Sequence, residues 1–173
     1  MNSRKPVIGV IGQNQPNCSR EEFDFGLLLG RYLIDEGYLI ATGGMFGIME
    51  AVCQGARNSP LYVTGSTIGF IPAIDKNLAN PFCDIVIPTG MGLSRSILLV
   101  NSSDILIAVG GGASTLSEIG YAWQTGKTVL CCRQFEGWSK NLANQSLDNR
   151  VEDLLISVNS IDDIRSELKN RLR

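Results

Sequence analysis

Residues 104–118 read DILIAVGGGASTLSE, and the reading of this stretch decides the fold. Ile105 to Val109 is an apolar run bounded by a polar residue and by glycines, the mark of a strand buried on both faces of a parallel sheet. Gly110, Gly111 and Gly112 lack the Cβ that forbids positive φ, so the chain can turn sharply there and approach a ligand closely. Ala113, Ser114 and Thr115 read as the first turn of a helix, whose free N–H groups and positive dipole end face back toward that turn. Strand, glycine turn and helix start, in that order, make an anion site. Two plainer readings compete with it. Polyglycine also serves tight packing alone, and Thr115 with Glu118 fits the capping box, a structural device. The same spacing puts Thr115 and Glu118 on one helix face, from which Glu118 looks into the crevice beyond the strand ends.

Toward the amino end, strands and helices alternate. Pro6 to Ile11 reads as the first strand, and Gly12 to Asn17 as a polar loop into a helix that Ser19 caps with Glu22 as its partner. Phe23, Leu27, Leu28, Tyr32 and Ile34 supply much of that helix's apolar surface, and Gly37 stops it. Tyr38 to Ala41 is a second strand, followed by Thr42-Gly43-Gly44 and by a helix from about Gly47 to Arg57 with Ile48, Val52 and Ala56 inward. Thr67 to Ile71 and Asp84 to Ile87 read as strands three and four, the latter ended by Pro88. Thr89-Gly90-Met91-Gly92 leads into a helix holding Ile97, Leu98 and Val100. Arg95 falls in its first turn, where a positive charge opposes the helix dipole. A bound anion compensates, because a charged hydrogen bond is worth roughly 1.5 to 3 kcal/mol against less than about 1 for the misplaced charge. The alternative is an exposed arginine beside some carboxylate.

Toward the carboxyl end, Thr128 to Cys132 is a sixth strand, residues 134–150 are a long irregular segment with Trp138, and Leu154 to Val158 is an edge strand. Ser160 caps a last amphipathic helix, with Asp163 as box partner and Ile164, Leu168 and Leu172 on one face. No repeat, low-complexity tract or linker divides the chain, so residues 1–173 read as one domain. The alternation gives an α/β fold, a doubly wound, mainly parallel sheet of about seven strands flanked by helices.

Composition narrows the function. A chain of 173 residues buries on the order of 70% of its unfolded surface without a disulfide or metal staple. The net charge of −2 and the scattered Lys and Arg argue against a nucleic-acid partner. The amino end carries an apolar run too short for a signal peptide, and nowhere do about 20 apolar residues run together, so a cytoplasmic protein without a membrane span is expected. Five cysteines form no CxxC pair and leave one over in any disulfide scheme. With no histidine, neither a zinc site nor a Ser-His-Asp set is expected. Cys131 and Cys132 lie in the apolar strand pattern TVLCC and read as core packing.

In this register Gly12/Gln13, Gly43/Gly44, Thr89/Gly90 and Gly110 to Thr115 all fall at carboxyl ends of strands, where doubly wound sheets bind ligands. Four such loops on one edge point to a phosphate-bearing small molecule. A dinucleotide is disfavoured because no GxGxxG follows the first strand, and the P-loop lysine is absent too.

Three ordered stretches, TGGMFGIMEAVCQGA (42–56), PTGMGLSR (88–95) and GGGASTLSE (110–118), resemble the SLOG branch of Rossmann-like proteins, which includes the lonely-guy phosphoribohydrolases. The wording PTGMG and GGGASTLSEI is more similar to the molybdenum cofactor carrier proteins. The similarity spans roughly residues 6 to 132. In the hydrolases the signature PGGxGTxxE works with an upstream arginine, which implies Arg95 and Glu118 for cleavage of an N-glycosidic bond and Gly111, Gly112 and Thr115 for the phosphate. This chain departs from that pattern at Gly110 for proline, Ser114 for the third glycine and Ser96 for a lysine. The carrier resemblance implies no catalytic residue and no protein ligand to the metal. It implies the molybdenum cofactor held through phosphate and oxo groups at the Gly110 to Thr115 turn and near Arg95; together with the strand-end loops, the expected contacting set is Gly12, Gln13, Gly43, Gly44, Met45, Thr89, Gly90, Met91, Arg95, Gly110, Gly111, Gly112, Ala113, Ser114, Thr115 and Glu118. Molybdoenzymes as recipients and a homo-oligomer, dimer or tetramer, follow from the same resemblance. Three readings stand: a non-catalytic cofactor carrier, a nucleoside 5′-monophosphate phosphoribohydrolase, and a nucleotide-binding module without turnover.

Overall fold

A computed structural model describes residues 4–149 and 153–172. The first three residues of the domain, residue 150 at the end of the irregular segment and Arg173 lie outside the described residues. Seven strands, β1 (Val7–Gly12), β2 (Leu39–Thr42), β3 (Thr67–Ile71), β4 (Ile85–Pro88), β5 (Ile105–Val109), β6 (Val129–Cys132) and β7 (Leu155–Val158), are threaded with helices. These are α1 (Arg20–Asp35), α2 (Ile48–Ala56), α3 (Arg95–Ser102), α4 (Ala113–Gln124), α5 (Trp138–Leu142) and α6 (Ile161–Arg171). The strands form one sheet in the order β4-β3-β2-β1-β5-β6-β7, and every pairing is parallel.

The apolar run of β5 works because both faces of the sheet are covered. Ile105, Ile107 and Val109 face a core shared with Leu29 and Leu33 of α1, Ile48 and Val52 of α2 and Ile164 and Leu168 of α6. Leu106 and Ala108 point the other way, onto Leu99 and Val100 of α3 and Ile119, Ala122 and Trp123 of α4. Alternating side chains thus serve two cores from one strand. The chain winds outward from β1 to β4, crosses back to β5 and winds the other way, so order reverses between β1 and β5. That reversal is the switch point at which such sheets hold ligands.

Several expectations shift in detail. Pro88 belongs to β4, paired with Ile71, rather than ending it; β4 is an edge strand, where a missing N–H is tolerated. Helix α1 buries Leu29 and Leu33 and leaves Leu28 exposed, because it is packed through Gly26 against Ala51 and through Gly30 against the backbone of Val52. Ser19 and Glu22 form the expected reciprocal capping box. Ser160 accepts from the Asp163 N–H at the start of α6, while the Asp163 carboxylate accepts from Asn159 instead of closing a box. The segment after β6 is not wholly irregular: it contains α5, whose Trp138 packs on the second core.

Candidate functional site

The crevice begins where β1 and β5 end side by side. A Cβ on Gly12 would run into the carbonyl oxygen of Val109, so only glycine lets the two strand ends approach this closely. The Gln13 N–H donates to that same carbonyl at 3.1 Å, and the Gln13 carbonyl accepts from Ile48 N–H at 3.0 Å. Two backbone bonds therefore pin the start of α2 to the switch point.

The glycine turn after β5 has φ +60° at Gly110 and +98° at Gly111. Its carbonyls are braced from the far side, Gly110 by Ser139 N–H at 3.1 Å and Gly111 by Trp138 N–H at 3.0 Å. Gly112 then caps α4 without any side-chain hydrogen bond, and Gly112, Ala113 and Ser114 are exposed. The first-turn N–H groups of α4 have no intrahelical acceptor and open toward the crevice mouth. The Thr115–Glu118 capping box does not form. With Gly112 as the cap, Thr115 is already the third helical residue, and its buried hydroxyl donates to the Gly12 carbonyl at 3.4 Å. Glu118, one turn further on, looks elsewhere.

It looks at Arg95. As the first residue of α3, Arg95 reaches across to the Glu118 Oε1 at 3.3 Å, and the Ser96 hydroxyl donates to the same oxygen at 2.8 Å. The Arg95 side chain is 11% exposed and that of Glu118 5%, so this is a largely desolvated pair and not the surface arginine of the plainer reading. Burial pushes the Glu118 carboxyl above its ordinary value, opposed by the Arg95 charge and by the hydrogen bonds from Ser96 and Arg95. Gly43, at the end of β2, leaves the room the guanidinium occupies: a Cβ there would lie 2.6–2.7 Å from its atoms.

These groups enclose a cavity of about 70 Å³, lined by Val10, Ile11, Gly12, Asn14, Gly43, Met45, Met49, Arg95, Leu99, Ser114, Thr115 and Glu118. It has the size of one oxyanion group, not of a ring system. Ser114 also lines an adjoining open groove of about 490 Å³ between α3 and α4, with Leu93, Ser96, Ile97, Ala113, Ser117, Gly120, Tyr121 and Gln124. Of the residues singled out in the sequence, Gly12, Gly43, Met45, Arg95, Ser114, Thr115 and Glu118 meet in the cavity, and Ala113 meets Ser114 in the groove. Gly110, Gly111 and Gly112 shape the turn beside it. Gly44 is a backbone brace, donating to the Thr42 hydroxyl at 3.0 Å and accepting from Asn80 N–H at 2.9 Å. Gln13 lines a different groove, with Glu22 and Glu136. Thr89, Gly90 and Met91 do not line the cavity; the Thr89 hydroxyl donates to the Ile71 carbonyl, folding the loop onto the sheet edge. Sequence reasoning missed Asn14, Met49 and Leu99, and it read Ser96 only as a lost charge. The sole signal for Asn14 was its place two residues after Gly12; for Ser96, it was adjacency to Arg95.

Chemically, the cavity offers one fixed cation, open backbone donors and a buried carboxyl. No thiol lines the cavity, and burial pushes Cys131 up to about 12 and Cys132 higher still, which makes these two poor nucleophiles. Among the described residues no three Cys, Asp or Glu stand close enough to hold a metal ion, and no helix is long and apolar enough to cross a membrane.

A doubly wound parallel sheet with a glycine turn, an arginine and a glutamate at its switch point defines a Rossmann-like protein of the SLOG kind. The SLOG cluster4 family model matches residues 5–164, and the chain belongs to that family. An uncharacterized protein of Archaeoglobus fulgidus is 39% identical over 122 residues, 70% of this chain and 76% of that protein. Among solved structures, the molybdenum cofactor binding protein of the phototrophic bacterium Rippkaea orientalis superimposes with a TM-score of 0.83 at 29% identity, covering 98% of this chain and 99% of the other. The molybdenum cofactor carrier protein of Chlamydomonas reinhardtii does so with a TM-score of 0.82 at 27% identity, over 97% and 99%.

Proposed function

We propose that the protein is a carrier of the molybdenum cofactor, which it holds as cargo without turnover and passes to molybdoenzymes. The observation that carries this reading is the commitment of Glu118: one oxygen accepts from both Arg95 and Ser96, so the carboxylate fixes a cation in place instead of standing free to act on a substrate. A fixed guanidinium beside open N–H groups suits a phosphate or an oxo group, and the cavity matches one such group in size. The adjoining groove gives the fused rings apolar walls at Leu93, Ile97 and Tyr121. Two structures of similar fold, both named for this cofactor, support the same assignment. We expect the chain to form a dimer or tetramer, as the resemblance of its motifs to the carrier proteins implies.

One observation favours the phosphoribohydrolase as a second reading: Arg95 and the raised carboxyl of Glu118 share one cavity, the pairing that N-glycosidic cleavage of a nucleoside monophosphate requires. The Glu118→Gln variant separates the two. Its amide oxygen still accepts from Arg95 and Ser96, so a carrier keeps its cargo, whereas release of free base from nucleoside monophosphates collapses. A variant that loses the cofactor while hydrolysing normally contradicts both.

A further inference from the structure

Cys53 and Cys83 play no part in the crevice, yet they meet. Distant by 30 positions in sequence, their Sγ atoms lie 3.8 Å apart. Cys53, in α2, is fully buried; Cys83, in the segment before β4, is partly buried, so Cys83 is the more accessible of the two. No other pair has this arrangement. Cys131 and Cys132 are neighbours in one strand and point to opposite cores, and the Cys18 thiol is pushed up to about 11 by burial.

We propose that Cys53 and Cys83 form a modification site, oxidised by peroxides in the folded chain to an intramolecular disulfide. The roles follow from the contacts. Hydrogen bonding from Cys53 favours the thiolate at Cys83, assisted by Asn80 and opposed by burial, while the same bond and full burial hold Cys53 in its thiol form. Asp84, which opposes the thiolate, is engaged by the Tyr62 hydroxyl and by Arg57. The Cys83 thiolate attacks one oxygen of hydrogen peroxide, the O–O bond breaks to leave a sulfenic acid and hydroxide, and the hydroxide takes up the proton that Cys83 had released and leaves as water. The Cys53 sulfur then attacks the Cys83 sulfur and displaces hydroxide, which leaves as a second water with the Cys53 proton. Two thiols and one peroxide give one disulfide and two waters. The sulfurs need only close from 3.8 Å to a bond of about 2.05 Å.

The bond would tie α2 to a segment that already holds the turn after β2. Asn80 donates from its backbone to Gly44 and from its side chain to the Met45 carbonyl, and its own carbonyl accepts from Cys83 N–H.

The test is peroxide treatment of the reduced full-length protein, followed by alkylation after unfolding and peptide mapping. The expected result is loss of two of the five thiols, a linked peptide pair containing Cys53 and Cys83, an intact mass lower by two hydrogens, and reversal by dithiothreitol. In Cys53→Ala, Cys83 should stop at the sulfenic acid and label with dimedone. In Cys83→Ser, a change at a partly buried position, Cys53 should remain alkylatable, which keeps the test intact if the buried substitution impairs folding. Oxygen accumulating on wild-type Cys83 with Cys53 still free, or a linkage through any other cysteine, would overturn the proposal.

Discussion

The guanidinium of Arg95 fills the space where a Cβ on Gly43 would stand. A glycine at the end of β2 and an arginine at the start of α3 therefore act as one device. The colliding group is the end of a side chain, but that end is paired with Glu118, so Gly43→Ala should cost about 1 to 3 kcal/mol of stability, no more than the loss of Arg95 itself. The same change displaces the cation and should weaken a phosphate-bearing ligand by about 1 kcal/mol or more. Thermal unfolding and equilibrium titration of the variant read the two effects separately; unchanged affinity would remove Arg95 from the site.

Gly12 offers the opposite case. Its neighbour is the Val109 carbonyl oxygen, part of the backbone that pairs β1 with β5. Nothing flexible can give way, so Gly12→Ala should cost about 2 kcal/mol or more in urea unfolding, with loss of ligand as a consequence of the parted strands.

Removing one partner of the desolvated pair should cost more than removing both. Arg95→Ala strands Glu118 in the core and should destabilise by about 3 kcal/mol. Adding Glu118→Gln to it should return a large part of that loss, measured as the coupling in a double-mutant cycle. Additive effects would mean that the two side chains are not paired in solution.

Stability should also carry the imprint of Glu118 on pH. Folded Glu118 holds its proton more tightly than an unfolded glutamate, whose ordinary value is about 4.3. Its contribution is therefore full below that pH and is lost as pH rises through the raised folded value. Glu118→Gln lacks this loss, so its stability relative to wild type should improve as pH rises from about 4.3 and level off above the folded value. A difference that does not change with pH would show that burial does not perturb this carboxyl.

Much of the fold was legible because each strand buried on both faces is a short apolar run that ends at a glycine or a polar residue; Ile105 to Val109 is recovered to the residue. The order of the strands was not, since pairing is non-local and β5 beside β1 leaves no local mark. Helix α5 escaped because five residues are too few to show a helical period. Thr115 and Glu118 misled as a capping box because a spacing of three is shared by caps and by helix faces, and only the cap at Gly112 decides between them. The loop of Thr89 to Met91 stands apart from the cavity for a reason of distance: β4 is three strands from β1 at about 4.8 Å each. Arg95, a few residues later, returns to the switch point because α3, which it begins, packs across β3, β2 and β1.

The central claim is tested most directly on protein purified from a host that makes molybdenum cofactor. Denaturing it, oxidising what is released and measuring the fluorescent pterin, with molybdenum counted alongside, gives the stoichiometry of the cargo. The carrier reading predicts pterin and metal approaching one each per chain. Absence of pterin, even after incubation of the purified protein with the cofactor, would contradict it.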